Sequence, residues 1–181
     1  NPNSKDPEDA AMQLANEAII LSTLNHENVI KLQAVCSGSF SKSFAKHPRG
    51  YFLLFDILDD TLQNRLAQWR HEKYKVPRLC SSIYKKITKH LPLKRPAVER
   101  IERCQEMYSR AQDASVIGIT RGLAYLHSKQ IVWRDLKPAN IGYYRKNDGR
   151  SASWTVKLID FGMAKRVKDC VRGECCGSLA Y

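Results

Sequence analysis

Ile131-Val132-Trp133-Arg134-Asp135-Leu136-Lys137-Pro138-Ala139-Asn140-Ile141, read with Val156-Lys157-Leu158-Ile159-Asp160-Phe161-Gly162, decides how this chain folds. The two stretches carry two carboxylates, an amide oxygen and an ammonium on turns between apolar runs. Alternating apolar residues leave Asn140, a turn at Lys146-Asn147-Asp148-Gly149 reverses the chain, and a second strand from Trp154 to Ile159 leads back to Asp160. A hairpin of that shape predicts that Asn140 and Asp160 come close together, two hard oxygen ligands of the kind that suit Mg²⁺. Asp135 lies on the same loop as Asn140, where it could take a proton from an incoming hydroxyl. Lys137 adds positive charge where a transferring phosphoryl group would build negative charge.

These residues resemble the eukaryotic protein kinase family. Its catalytic loop reads H-R-D-L-x-x-x-N and is followed by D-F-G. Here the loop is Trp133-Arg134-Asp135-Leu136-x-x-x-Asn140, followed by Asp160-Phe161-Gly162. The resemblance implies an α+β, two-lobed kinase-like fold, with ATP and Mg²⁺ as cofactors and a protein hydroxyl as phosphoryl acceptor. It implies Asp135 as catalytic base, Lys137 beside it, and Asn140 and Asp160 as metal ligands. Lys137 goes with the serine/threonine branch of the family. Cys176-Gly177-Ser178-Leu179-Ala180-Tyr181 looks like the start of the substrate loop, where the Ser178 hydroxyl would bond and orient Asp135 and Lys137.

Working outward, Asp6 suits a helix cap, Pro7 the first helical position, and Glu8 and Asp9 the positive end of the helix dipole. Leu14, Ala18, Leu21 and Leu24 recur at helical spacing up to a break near Asn25-His26. By the resemblance this is the family's helix C, and Glu17 would hold the ATP-positioning lysine. Leu32 to Val35 and Tyr51 to Leu58 read as strands, with a polar loop between them. The second resembles the strand entering the kinase hinge. Phe55 would then guard the back of the nucleotide pocket, and backbone groups of Asp56 and Leu58 would bond the adenine edge. Thr61 to Trp69 reads as a helix. From Ala114, Val116, Ile119, Leu123 and Leu126 mark one face of another helix leading into the catalytic loop.

The chain has 181 residues, with 30 Lys or Arg against 18 Asp or Glu and a net charge of +12. The excess is local. From Arg65 to Arg110 there are 13 Lys or Arg and 4 Glu, a balance of +9. The segment 71–110, interrupted by Pro77, Pro92 and Pro96, reads as a basic insertion, partly helical from Pro96 to Met107. It is a solvated surface element in the plainer reading and a docking site for an acidic partner in the sharper one. A charge confined to one segment disfavours nucleic acid as the partner of the whole chain. No apolar run approaches membrane-spanning length and no N-terminal signal pattern appears. The six cysteines form no C-x-x-C pair, which points to a reducing cytoplasm or nucleus. Cys170, Cys175 and Cys176 read as exposed thiols ahead of a zinc or redox site.

The departures from the family pattern are also informative. Trp133 replaces the loop's histidine at an apolar packing position, where it would complete a stacked column with Leu21, Leu32 and Phe161. Gly142 stands where kinases usually carry a leucine or similar residue under the adenine, which predicts less apolar surface beneath the ring. Ala139 replaces a frequent glutamate. Arg134 lacks a phosphorylatable partner between Lys165 and Cys176. No glycine-rich loop or Val-Ala-x-Lys strand precedes Asp6, and no Ala-Pro-Glu follows before Tyr181. The expectation is therefore a partial kinase domain truncated at both ends. Residues 1–58 form a small-lobe remnant with the hinge strand, and residues 59–181 form part of the large lobe. Such a piece is expected to be inactive and poorly folded in isolation. A pseudokinase scaffold, binding partners without catalysis, is the alternative function.

Overall fold

The computed structural model describes residues 7–36, 52–70, 95–147 and 152–171. The first element is helix α1, Pro7–Leu21. It stops three residues earlier than its apolar spacing suggests. Thr23 and Leu24 donate their N–H groups to Ile20 and Leu21, a tightening to i→i−3 bonds that still leaves Leu24 buried. The Ser22 and Thr23 hydroxyls donate to the carbonyls of Ile19 and Ile20, which satisfies the open end of the helix.

Strand β1, Leu32–Val35, pairs antiparallel with β2, Leu53–Phe55, across an irregularity between Leu32 and Ala34. The expected strand from Tyr51 to Leu58 is shorter than its apolar run. Beyond Phe55 the backbone pairing with β1 ends: the Asp56 side chain meets both Gln33 of β1 and Lys157, and Leu58 lies against Gly142. A two-residue strand β3, Asp60–Thr61, then leads into helix α2 over residues 62–70. The Thr61 hydroxyl accepts the N–H of Asn64 and caps this helix.

Helix α3 runs unbroken over Arg95–Ser128, 34 residues. The sequence suggested two helical pieces, one from Pro96 to Met107 and one from Ala114; nothing helix-breaking lies between them, and they are one rod. Its packing face also corrects the expected one. Val116 is 63% exposed, whereas Ser115, Gly118, Gly122 and Leu126 are buried, with Ile119 and Leu123 flanking them. The buried stripe is built from small residues because the strand beneath lies close. A Cβ on Gly122 would stand 2.8 Å from Leu158 Cδ1 and 3.0 Å from the Asn28 carbonyl, and one on Gly118 3.0 Å from Val156 Cβ. Apolar bulk on this helix therefore does not mark the face that packs.

After α3, Gln130 takes a left-handed turn (φ 56°) into β4, Ile131–Val132, which pairs with Lys165–Arg166, the last strand, β7. A single 3₁₀ turn, Pro138–Asn140, feeds β5, Ile141–Asn147, which pairs in unbroken register with β6, Ala152–Leu158, from Ile141↔Leu158 to Asn147↔Ala152. The sheet order is β3-β5-β6. Alternation along the hairpin puts Ile141, Tyr143, Val156 and Leu158 on the face toward α3, where all four are buried. Gly142, Lys157 and Ile159 face the other way. Residues 28–30 close the free edge of β6: Leu158 donates to the Asn28 carbonyl and Ile30 donates to the Leu158 carbonyl, both at 2.9 Å.

One apolar core joins α1, α3 and the hairpin, and the expected column of Leu21, Leu32, Trp133 and Phe161 lies in or against it. Among the described residues no helix is long and apolar enough to cross a membrane. The expected cap at Asp6, the loop 37–50, the turn at Asp148-Gly149, the first part of the basic segment (71–94) and the thiols of Cys175 and Cys176 lie outside the described residues.

Candidate active site

The loop between β4 and β5 presents Asp135, a carboxylate 5% exposed. A buried carboxylate needs compensating donors, and both come from the same short loop. Lys137 Nζ donates to Asp135 Oδ2 at 2.6 Å, and Asn140 Nδ2 donates to the same oxygen at 2.8 Å and to the Asp135 carbonyl at 3.1 Å. Spacings of two and five residues suffice because the Pro138–Asn140 turn folds Asn140 back over Asp135. With its amide hydrogens committed to Asp135, Asn140 presents Oδ1 on its opposite side.

The hairpin carries the chain back from Asn140 to Asp160. Its first pair is Ile141↔Leu158, and Ile159 then donates its N–H to the Asn140 carbonyl at 3.0 Å. Asp160, one residue on, is exposed and left-handed, with φ 61°. A non-glycine residue there costs about 1–2 kcal/mol, so the surroundings must hold it. Trp133 Nε1–H donates to the Asp160 carbonyl at 2.9 Å, and the Trp133 and Phe161 rings lie 6.0 Å apart, both buried. Arg134, also left-handed at φ 69°, donates from Nε to the Met163 carbonyl at 2.8 Å.

Helix α1 grips the same segment from the other side. Glu17 Oε1 accepts the Phe161 N–H at 2.9 Å, and Asn16 Nδ2 donates to the carbonyls of Gly162 and Ala164. Burial raises the Glu17 pKa above its ordinary 4.5, with the nearby Asp160 charge adding to the rise and the Phe161 N–H opposing it. For a carboxyl shifted in this direction, the stability contribution is full below 4.5 and is lost as pH rises through the raised value.

A cavity of about 420 Å³ opens between α1, β2, the 56–58 segment and the end of β6. Glu17, Phe55, Asp56, Leu58 and Asp160 all line it, together with Ile30 and Ile159. Five of the residues singled out from sequence thus share one cavity, while Asp135, Lys137 and Asn140 form the adjacent polar cluster. The Asp56 side chain is engaged by Lys157 Nζ at 3.4 Å and by Gln33 Nε2. Ser178 lies outside the described residues, as does any lysine preceding α1. Sequence reasoning missed the indole N–H of Trp133, the Asn16 amide and the buried Lys157. Lys157 could have been found from its place among apolar residues of β6; a polar residue on a half-exposed helix, such as Asn16, leaves no comparable signal.

The donor set suits a hard divalent cation. Asp160 offers a carboxylate and Asn140 an amide oxygen, both hard ligands on neighbouring backbone. Among the described residues there is no group of three or more His, Cys, Asp or Glu that could hold a metal.

Comparison with known proteins bears on the family. The protein kinase domain family matches residues 2–181. Mitogen-activated protein kinase 3 of Oryza sativa subsp. japonica is 26% identical over 155 residues, covering 86% of this chain and 30% of the relative. Mitogen-activated protein kinase 2 of Arabidopsis thaliana is 25% identical over 155 residues, covering 86% of this chain and 29% of the relative. A probable serine/threonine-protein kinase of Dictyostelium discoideum is 47% identical over 49 residues, 27% of this chain and 10% of that protein. The chain thus spans under a third of the length of these curated relatives. With the family matched over almost its whole length, this chain belongs to the protein kinase domain family.

Proposed function

We propose that this chain is part of a serine/threonine protein kinase that transfers the γ-phosphoryl group of ATP to a protein hydroxyl. The hydroxyl oxygen bonds to the γ-phosphorus, the bond from that phosphorus to the ADP oxygen breaks, and the hydroxyl proton passes to Asp135. Lys137 and Asn140 orient the Asp135 carboxylate. Lys137 also brings positive charge beside the transferring group, and Ser178 would add a hydroxyl to the same cluster. Asn140 Oδ1 and the Asp160 carboxylate would hold Mg²⁺, which neutralises phosphate charge when bound. The cavity lined by Glu17, Phe55, Asp56 and Leu58 would take the nucleotide. The observation that carries this reading is the buried Asp135, held by Lys137 and Asn140 on the loop whose hairpin leads directly to Asp160. The serine/threonine assignment rests on Lys137 and on the name of the Dictyostelium relative.

The test is Asp135→Asn and Asp160→Asn in the full-length protein. Each should lower turnover by roughly a hundredfold or more with the fold retained, because each removes a carboxylate that the chemistry uses. Near-full phosphoryl transfer by either variant would refute the assignment. A wild-type protein that binds partners but transfers no phosphoryl group would instead favour the pseudokinase scaffold. The basic stretch from Arg65 to Arg110, at +9, is proposed to dock an acidic protein partner. Such binding should weaken steeply between low and physiological salt, and salt-independent binding would refute it.

A further inference from the structure

The cavity wall next to β5 is built in an unusual way. Gly142 is buried at the centre of the β3-β5-β6 sheet, pairing with Thr61 on one side and Lys157 on the other. A side chain at this position would point toward the 56–58 segment. That space is taken: a Cβ on Gly142 would overlap Leu58 Cδ1 and stand 3.2 Å from Cδ2 and 3.3 Å from Cγ. Leu58 lines the cavity. Its side chain is therefore interposed between the cavity and the strand, and glycine at 142 is what lets it sit there. Two residues earlier, Asp56 pairs with Lys157, the cross-strand partner of Gly142. The segment is thus pinned to the hairpin by one apolar and one ionic contact on the same face.

We propose that the Leu58–Gly142 pair is a specificity determinant of this cavity, with the Leu58 side chain supplying the apolar wall against which the ligand ring packs. The proposal rests on the nucleotide reading above. It also changes the meaning of Gly142. The apolar surface that glycine cannot offer from the strand comes instead from the facing segment, so the cavity keeps its wall and takes its width from Leu58. Removing Leu58 widens the cavity beside a glycine, whereas pushing it off the strand narrows the cavity; either way a flat ring loses its fitted packing surface.

The experiment titrates Mg–ATP into the full-length protein and its Leu58→Ala, Gly142→Ala and Leu58→Ala/Gly142→Leu variants, with KM and kcat measured in parallel. One methylene more or less in an apolar pocket discriminates by about 10–200-fold. Leu58→Ala, which removes more than one carbon, should therefore raise the Kd and KM for ATP by at least about tenfold. Gly142→Ala should weaken binding in the same direction, because the new methyl meets only the far end of the Leu58 side chain and displaces it. The double variant, which returns a leucyl side chain from the strand, should bind ATP more tightly than Leu58→Ala. A smaller rise for Leu58→Ala, or a double variant no tighter than Leu58→Ala, overturns the proposal. Folding of every variant is checked by its melting temperature without nucleotide; loss of folding in Leu58→Ala itself would also overturn it, since the side chain would then be a structural element. A wild-type protein that fails to bind Mg–ATP refutes the nucleotide reading instead, so the two failures are distinguishable.

Discussion

Trp133 offers a test of how the catalytic segment is held. Its indole does two separable things: it fills a core position at 2% exposure, and its Nε1–H supports the carbonyl of left-handed Asp160. Trp133→Phe keeps an aromatic ring and removes the donor. The carbonyl is then left without that partner, at a cost of about 1–3 kcal/mol. The smaller ring opens space that costs about another 1 kcal/mol. The total of about 2–4 kcal/mol is within the stability of a typical domain and corresponds to a melting temperature lower by roughly 4–16 °C. The larger effect should be on chemistry. With Asp160 released to relax from φ 61°, its carboxylate shifts relative to Asn140, and a misplacement of about 1 Å can cost on the order of a hundredfold in rate. Trp133→His is the control: it removes more ring volume but retains a ring N–H on a short side chain. In the full-length protein, melting should rank wild type above Phe above His, whereas kcat should rank wild type above His above Phe. The assay is steady-state peptide phosphorylation beside thermal unfolding. If Trp133→Phe keeps wild-type kcat while Trp133→His loses it, the indole matters as filler and the hydrogen-bond argument fails.

Two further outcomes follow from individual contacts. Gly122→Ala gains about 1 kcal/mol of helix propensity but puts a methyl 2.8 Å from Leu158 Cδ1 and 3.0 Å from a backbone carbonyl that cannot move away, so it should destabilise by a net 1–2 kcal/mol or so in chemical denaturation; a stabilised variant would show that α3 does not sit this close to β6. Glu17→Gln keeps an oxygen for the Phe161 N–H and removes a buried charge, so the variant should gain stability over the parent as pH rises above 4.5 and lose that advantage below it. Thermal melts between about pH 4 and 8 check this, and equal melts throughout, or a variant weaker at neutral pH because a cation pairs with Glu17, would refute the burial argument.

The β5–β6 hairpin was legible in the sequence because its signals are short-range and redundant. Alternation out of Asn140 and back into Asp160 sets the register, and the register alone brings the two residues together, whatever the rest of the fold does. Asp135 was legible for a similar reason, since its partners Lys137 and Asn140 lie within five residues and one 3₁₀ turn. Helix α3 was read less well. Apolar periodicity looks for bulk, and it placed Val116 on the inner face; the true inner face is Ser115, Gly118 and Gly122, chosen for the absence of bulk. The Tyr143 hydroxyl bonds the Ser115 hydroxyl at 2.7 Å, a partnership between a strand and a helix that no local pattern announces. The strand from Tyr51 to Leu58 was read too long because Asp56 and Leu58 continue its apolar-rich run, while Leu58 packs on Gly142 and Asp56 is shared between Gln33 of β1 and Lys157 of β6.

One set of contacts that escaped the sequence shares a role: each ties one segment to the stretch around Asp160. Asn16 and Glu17 reach it from α1, Trp133 and Arg134 from the loop after β4, and residues 28–30 hold the strand that delivers it. Most of these bonds end on backbone atoms of residues 158–164, so they constrain the path of the chain rather than the identity of its side chains. That is why Asp160-Phe161-Gly162 was readable as a motif while the means of holding it was not. A left-handed aspartate is unfavourable by itself, and here it persists because a helix and a loop bind the backbone at and just after it. Its geometry is therefore coupled to the position of α1: a helix that moved away would take with it the Glu17 bond to Phe161 and both Asn16 bonds, leaving Trp133 and Arg134 to hold the segment. A two-sided grip of this kind makes the orientation of the Asp160 carboxylate conditional on α1 being docked, although α1 acts through the backbone of Phe161, Gly162 and Ala164, just after Asp160, and not through its side chain.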